Sequence, residues 1–150
     1  MTAALRRGAA VLALCIFGCV GLAVATPSEQ EALMVGTWYG EFAPRPGMPV
    51  QRFLYNRKAD GSFTLVARLY EPGKPPTELR NAGLWGISNG LYFTVTTEVD
   101  GVRTDTKSPE TVNPYLVQDL QKDSFAYRHV LSGNVFRVVR VPPDRSLPAQ

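Results

Sequence analysis

From residue 34 onward, hydrophobic positions recur every second residue rather than every third or fourth. Phe63, Leu65, Ala67 and Leu69 share one face of a run whose other face carries Ser62, Thr64 and Arg68. Leu91, Phe93 and Val95 likewise alternate with Tyr92, Thr94 and Thr96. Successive side chains of a strand point to opposite faces, so the pattern marks antiparallel strands with one face buried. It predicts strands over 34–43, 50–57, 62–71, 78–88, 91–99, 115–121, 124–130 and 135–141. A short extra strand at 102–106 is predicted to pair back across Asp100-Gly101. No segment after residue 33 sustains a helical period. Ahead of the first strand, Ser28 and Glu31 have capping-box spacing and predict one helical turn.

The connections order these strands. Tight turns at Ala59-Asp60-Gly61, Asn89-Gly90 and Lys122-Asp123 alternate with the Pro/Gly-rich loops "PRPGMP", "EPGKPPT" and "VRTDTKSPETVNP". In an up-and-down meander alternate connections lie at the same end. The long loops then form a rim and the tight turns a plain base, and rims of this kind favour binding. Residues 26–142 are therefore expected to form one all-β domain, a single antiparallel barrel of about eight strands. The Pro-rich segment 143–150 is expected to be a disordered tail.

The stretch "MVGTWYGEF" puts Met34, Gly36, Trp38, Gly40 and Phe42 on one face, expected to be the inner one. Two strand glycines cost about 1–2 kcal/mol. Losing a buried tryptophan costs about 3–5 kcal/mol, so glycines that make room for the indole are a favourable exchange.

Composition changes the picture mainly at the N-terminus. Arg6 and Arg7 precede the apolar run "GAAVLALCIFGCVGLAVA", which ends in Ala23-Val24-Ala25. That is the pattern of a secretory signal spanning residues 1–25, and it predicts a periplasmic or secreted protein. Two alternatives stand beside it. "IFGC" offers Cys19 for lipidation, giving a lipid-anchored protein, and the uncut run is close to membrane-spanning length. Removing the leader takes both cysteines, Cys15 and Cys19, with it. Lys plus Arg falls from 16 to 14 against 13 acidic residues, so the net charge becomes 14 − 13 = +1. No basic run is left to suggest nucleic acid, and no membrane span is expected in the mature chain.

The helical turn, the G-x-W of the first strand and the eight-strand order together resemble the lipocalin or calycin superfamily, most of all its small bacterial lipocalin-like proteins. "AGLWGISNGLYFTV" (Gly83, Trp85, Asn89-Gly90) resembles the second G-x-W stretch that such proteins carry in mid-chain. The resemblance implies an arginine on the last strand packed over Trp38, either Arg140 or, in the other register, Arg137. A guanidinium over an indole gains cation–π energy while its stem covers apolar surface.

Candidate chemistry is sparse. His129 is the single histidine, and a two-residue turn at Lys122-Asp123 would pair it with Leu116. Leu116, Leu120, Phe125, Tyr127 and His129 would then share the inner face, with Asp119 and Arg128 an exposed ion pair on the other. A lone histidine there is read as an interior residue, and no catalytic residue is assigned. One histidine and no mature cysteine supply no transition-metal site, and no motif for a cofactor appears.

The expected function is non-enzymatic binding of a small apolar or amphipathic molecule in the cell envelope. Trp38, Phe63, Trp85 and Phe93 would line the site, and Tyr55, Tyr127 and His129 would give polar contacts. Phe42, Phe53 and Phe125 complete the expected interior. The alternative is a protein–protein interaction module, an inhibitor or assembly factor acting through the rim loops, with Met48 in "PRPGMPV" as an exposed apolar tip.

Overall fold

The computed structural model describes residues 28–42 and 48–149. The candidate signal segment 1–25, with Cys19, lies outside the described residues. One α-helix, α1 (Glu29–Met34), precedes nine strands: β1 (Gly36–Phe42), β2 (Val50–Arg57), β3 (Ser62–Tyr70), β4 (Thr77–Ser88), β5 (Leu91–Val99), β6 (Val102–Arg103), β7 (Val112–Leu120), β8 (Ser124–His129) and β9 (Val135–Val141). Every pairing is antiparallel. The order β4-β3-β2-β1-β9-β8-β7-β5 is closed by a β4–β5 ladder, which makes an eight-strand up-and-down barrel with β6 as a short flap on β5. Among the described residues, no helix is long and apolar enough to cross a membrane.

Local sequence explains the joints. Asn89 and Gly90 both have positive φ, 50° and 76°, as a two-residue hairpin turn requires, and Asp100-Gly101 repeats the device at 49° and 82°. In α1 the Ser28 hydroxyl accepts from the Glu31 N–H while the Glu31 carboxylate accepts from the Ser28 N–H. The helix starts the floor of the barrel, and its last residue, Met34, is buried. β1 therefore begins at Gly36 rather than at residue 34. In the long fifth connection Pro109–Thr111 form a 3₁₀ turn, so β7 starts at Val112 instead of 115.

Three expectations about packing are overturned. Phe93 is on the outer face, 38% exposed, while Tyr92 and Thr94 point inward. The turn at Asn89-Gly90 pairs Gly86 with Phe93 and Trp85 with Thr94, and opposite residues share a face. Trp85 and Phe93 therefore cannot both be inside. Phe93 instead lies over Gly86, where any Cβ would come within 2.7 Å of its ring. Leu116 is likewise exposed, and its neighbour Tyr115 pairs with His129. The cause is a bulge between Val117 and Asp119, which inserts one residue and shifts the register beyond it. The same shift moves Arg128 one position further from Asp119, to lie opposite Leu116, and the expected Asp119–Arg128 pair does not form.

The third correction is the tail. Residues 143–149 run back along the outside of the barrel, and Leu147 is only 7% exposed. Arg68 on β3 donates through Nη1 to the carbonyls of Leu147 (3.0 Å) and Pro148 (2.8 Å), and the Tyr70 hydroxyl donates to Pro148 at 2.7 Å. Proline-rich composition removed backbone donors from this segment, but its carbonyls remained to be captured. Arg68 is held for the purpose by Glu78 at 2.8 Å.

Candidate functional site

The floor is built around Trp38, which is wholly buried. Its Nε1 donates to the Met34 carbonyl at 2.9 Å, tying β1 to α1. The Arg140 guanidinium sits 4.3 Å from the indole centroid, whereas Arg137 points outward. Arg140 also donates to the carbonyls of Leu33 and Val35, each at 2.7 Å, and to that of Lys122 at 2.6 Å. One side chain of the last strand thus caps the C-terminal turn of α1 and joins it to the β7–β8 turn.

The two glycines serve this arrangement differently from expectation. A Cβ on Gly36 would collide with Arg140 Nη1, and Gly36 has φ +129°, which L side chains rarely adopt. A Cβ on Gly40 would collide with the Phe53 ring and come within 2.8 Å of Val138. The space is given to the cation over the indole and to the wall across from it, not to the indole itself.

Above the floor a column of rings rises through the lumen. Trp38 meets Phe125 edge-on at 6.1 Å. Phe125 stacks on Tyr127 at 4.6 Å, Tyr127 on Phe136 at 5.3 Å, and Phe136 tilts against Phe42 at 4.8 Å. Tyr92 and Tyr115 stack at 5.1 Å beside the column, and Tyr55 lies 4.8 Å from Phe63. Trp85 is buried and donates from Nε1 to the Lys58 carbonyl at 3.1 Å. Burial falls along the column: Trp38, Phe125 and Tyr127 are buried, but Phe136 and Phe42 are only partly so. His129 is half-buried, edge-on to Tyr115 at 5.1 Å, and its Nδ1 is engaged by Ser132 at 2.9 Å. Among the sequence-predicted residues, Trp38, Tyr55, Phe63, Trp85 and Tyr127 thus lie within one interior. His129 sits at its edge and Phe93 is outside.

The residue that sequence reasoning missed is Arg57. It lies at the end of β2, is 1% exposed, and points into the rings. Its guanidinium carbon is 4.1 Å from the Tyr55 centroid, 4.9 Å from Tyr92 and 5.5 Å from Phe125. Nη2 and Nε donate to the Tyr92 hydroxyl at 2.9 and 3.2 Å, and Nη1 has no partner. Burial works against the charge of Arg57, but the oxygens of Tyr92, Tyr127 and Tyr55 outweigh it and keep the group protonated. Burial also holds the hydroxyls of Tyr55, Tyr115 and Tyr127 well above the usual tyrosine range, in spite of the nearby cation. At neutral pH these tyrosines are uncharged dipoles and give Arg57 no counter-ion. The signal was present in the chain: residues 53, 55 and 57 share a face, so Phe53 and Tyr55 pointing inward take Arg57 with them.

Among the described residues no three His, Cys, Asp or Glu side chains converge as metal ligands. An open groove of about 490 Å³ runs along β1, β8 and β9 beside Tyr39, Glu41 and Arg137. No protein-family model matches the chain, and no curated protein matches it either.

Proposed function

We propose that this chain is a non-enzymatic, exported lipocalin-like protein that holds a small apolar or amphipathic molecule within its barrel. The observation that carries the reading is the burial gradient of the ring column. Arg140, α1 and Trp38 seal one end, while Phe136, Phe42 and His129 remain partly exposed towards the other. An eight-strand barrel has room for one small ligand or for its own side chains. A sealed floor with half-buried rings above it favours entry from the rim, where the rings can part. Membership in the lipocalin or calycin superfamily is supported by the barrel order and by the Arg140–Trp38 stack.

Native mass spectrometry of protein purified from the cell envelope tests the reading. A bound small molecule that leaves on mild activation is the expected result. Uniformly empty protein, with no gain in melting temperature from any amphiphile, would refute it. Fractionation of the same cells reports on export and on a Cys19 lipid.

A second reading, a protein–protein interaction module, is favoured by the outer face of β4, β5 and β7. There Leu84, Leu91, Phe93, Val112 and Leu116 are all exposed, and the register sets them side by side. Met48 adds an exposed apolar side chain near the start of β2, at 51%. Loss of a cross-linked partner on Phe93→Lys, with the barrel's circular dichroism unchanged, would favour this reading over the first.

A further inference from the structure

An apolar face lies on the outside of the barrel, across β4, β5 and β7. The ladders put Leu84, Val95 and Val112 in one row, Phe93 and Pro114 in the next, and Leu91 and Leu116 in the third. No residue in 84–88, 91–95 or 112–116 is charged, although charged residues make up 19% of the chain. Phe93 lies down over Gly86 instead of projecting, which keeps the face flat. Val130 extends the middle row, since its N–H donates to the Pro114 carbonyl at 2.9 Å, and Leu131 follows it; both are exposed. Together these side chains leave roughly 600 Å² of apolar surface in water, at the top of the range of about 300–600 Å² for the largest patch on a monomer.

We infer that this face is the contact between two copies of the chain, packed sheet to sheet about a two-fold axis. Area is the first argument. Two such faces bury about 1,200 Å² between them, which is where specific, stable interfaces begin. Charge is the second. A partner with acidic or basic groups would have to desolvate them against a surface that offers no counter-charge, whereas a second copy brings none. Symmetry is the third. An axis along β5 sets Leu84 of one copy over Val112 of the other and lays Phe93 and Leu91 each over its counterpart, so apolar meets apolar, with Ser88 over Leu116 the exception. A bilayer fits less well, because peripheral proteins are held at headgroups by clustered lysines and arginines. Along the ladders the margin of this face carries Arg128 at the base end and the neighbours Glu98 and Arg103 at the rim end, with no such cluster. The inference rests on the second reading, that this face is a protein contact, and names the partner.

The experiment is sedimentation equilibrium of the protein purified from the cell envelope, from about 1 to 100 μM, repeated on Phe93→Lys and Phe93→Glu. A monomer–dimer equilibrium with a dissociation constant in the micromolar range is expected, the weak end for an interface of about 1,200 Å². Each variant places two like charges against one another across the axis and is expected to weaken the dimer about 100-fold or more, with the melting temperature of the monomer kept. An equimolar mixture of the two variants is expected to recover the dimer, because lysine then faces glutamate. Leu116→Glu, at the base end of the face, must also weaken the dimer, which decides the matter if a Phe93 variant does not fold. Unaltered protein that stays monomeric at about 100 μM overturns the inference. The second reading still stands in that event if a different protein cross-links to the face and is lost on Phe93→Lys. Monomer that instead binds phosphatidylglycerol vesicles through Phe93 assigns the face to a bilayer and removes both. A dimer that none of these substitutions weakens is held elsewhere on the molecule and overturns the inference as well.

Discussion

Arg140→Ala tests whether the floor is held by one side chain. The substitution removes the 4.3 Å stack on Trp38 and three donors to the carbonyls of Leu33, Val35 and Lys122. A partly desolvated cation–π contact is worth about 1–2 kcal/mol. Hydrogen bonds from a charged donor contribute about 1.5–3 kcal/mol each. The Arg140 side chain is 28% exposed, so water reaches the freed carbonyls and the low end applies. Asp123, 3.9 Å away and 76% exposed, adds little. Together these give a loss of about 5.5–6.5 kcal/mol. For a domain of this size each kcal/mol moves the melting temperature by about 4 °C, which predicts a fall of about 22–26 °C. The assay is thermal circular dichroism, with tryptophan emission followed in parallel. Emission should shift to the red below the transition as water reaches Trp38. Arg140→Lys should recover less than half of the loss, because an ammonium cannot span three carbonyls and an indole face together. A fall of less than about 4 °C in Arg140→Ala would show that α1 and the barrel floor hold without it, and the reasoning would fail.

Alkaline pH is expected to unfold the barrel. The folded values of Tyr55, Tyr115 and Tyr127 are raised above the unfolded one, so their contribution is complete below about pH 10 and is lost as pH rises from there towards the folded values. Three such groups remove about 4 kcal/mol per pH unit, and absorbance at 295 nm should rise together with loss of the β signal. Tyrosines that ionise near pH 10 with the β signal intact would contradict their burial. Leu147→Ala is expected to cost about 2–4 kcal/mol in urea, as a buried leucine and not as part of a loose tail, and an unchanged midpoint would refute the docking of residues 143–149.

The strands were readable because alternation and turn residues acted together. Asn89-Gly90 fixed both the ends and the register of β4 and β5. The same turn should have placed Phe93 outside, since residues 85 and 93 cannot share a face across a two-residue loop. Hydrophobicity alone pointed the other way, because Tyr92 and Thr94 read as the polar side. Their burial follows from partners out of sequence reach: Tyr92 accepts from an arginine 35 residues away. The bulge after Val117 left no mark in "LVQDL", so the inner face of β7 was assigned one residue off. The glycine pair around Trp38 was legible as a demand for space. What occupied the space was not, because Arg140 comes from the opposite end of the chain. Arg57 was hidden by its type: a charged residue next to a turn reads as solvated, and only period two against Phe53 and Tyr55 places it inside.

Arg140 reaches back across 105 and 107 positions to Val35 and Leu33, and β1 finds its second neighbour only in β9. Ring closure therefore waits for β9, Val135–Val141, to leave the ribosome, and every shorter nascent length lacks both a bottom and a seam. Contacts so distant in sequence make for slow acquisition of the native state. A nascent chain of this design stays open until β9 has emerged, and then locks in a single late step.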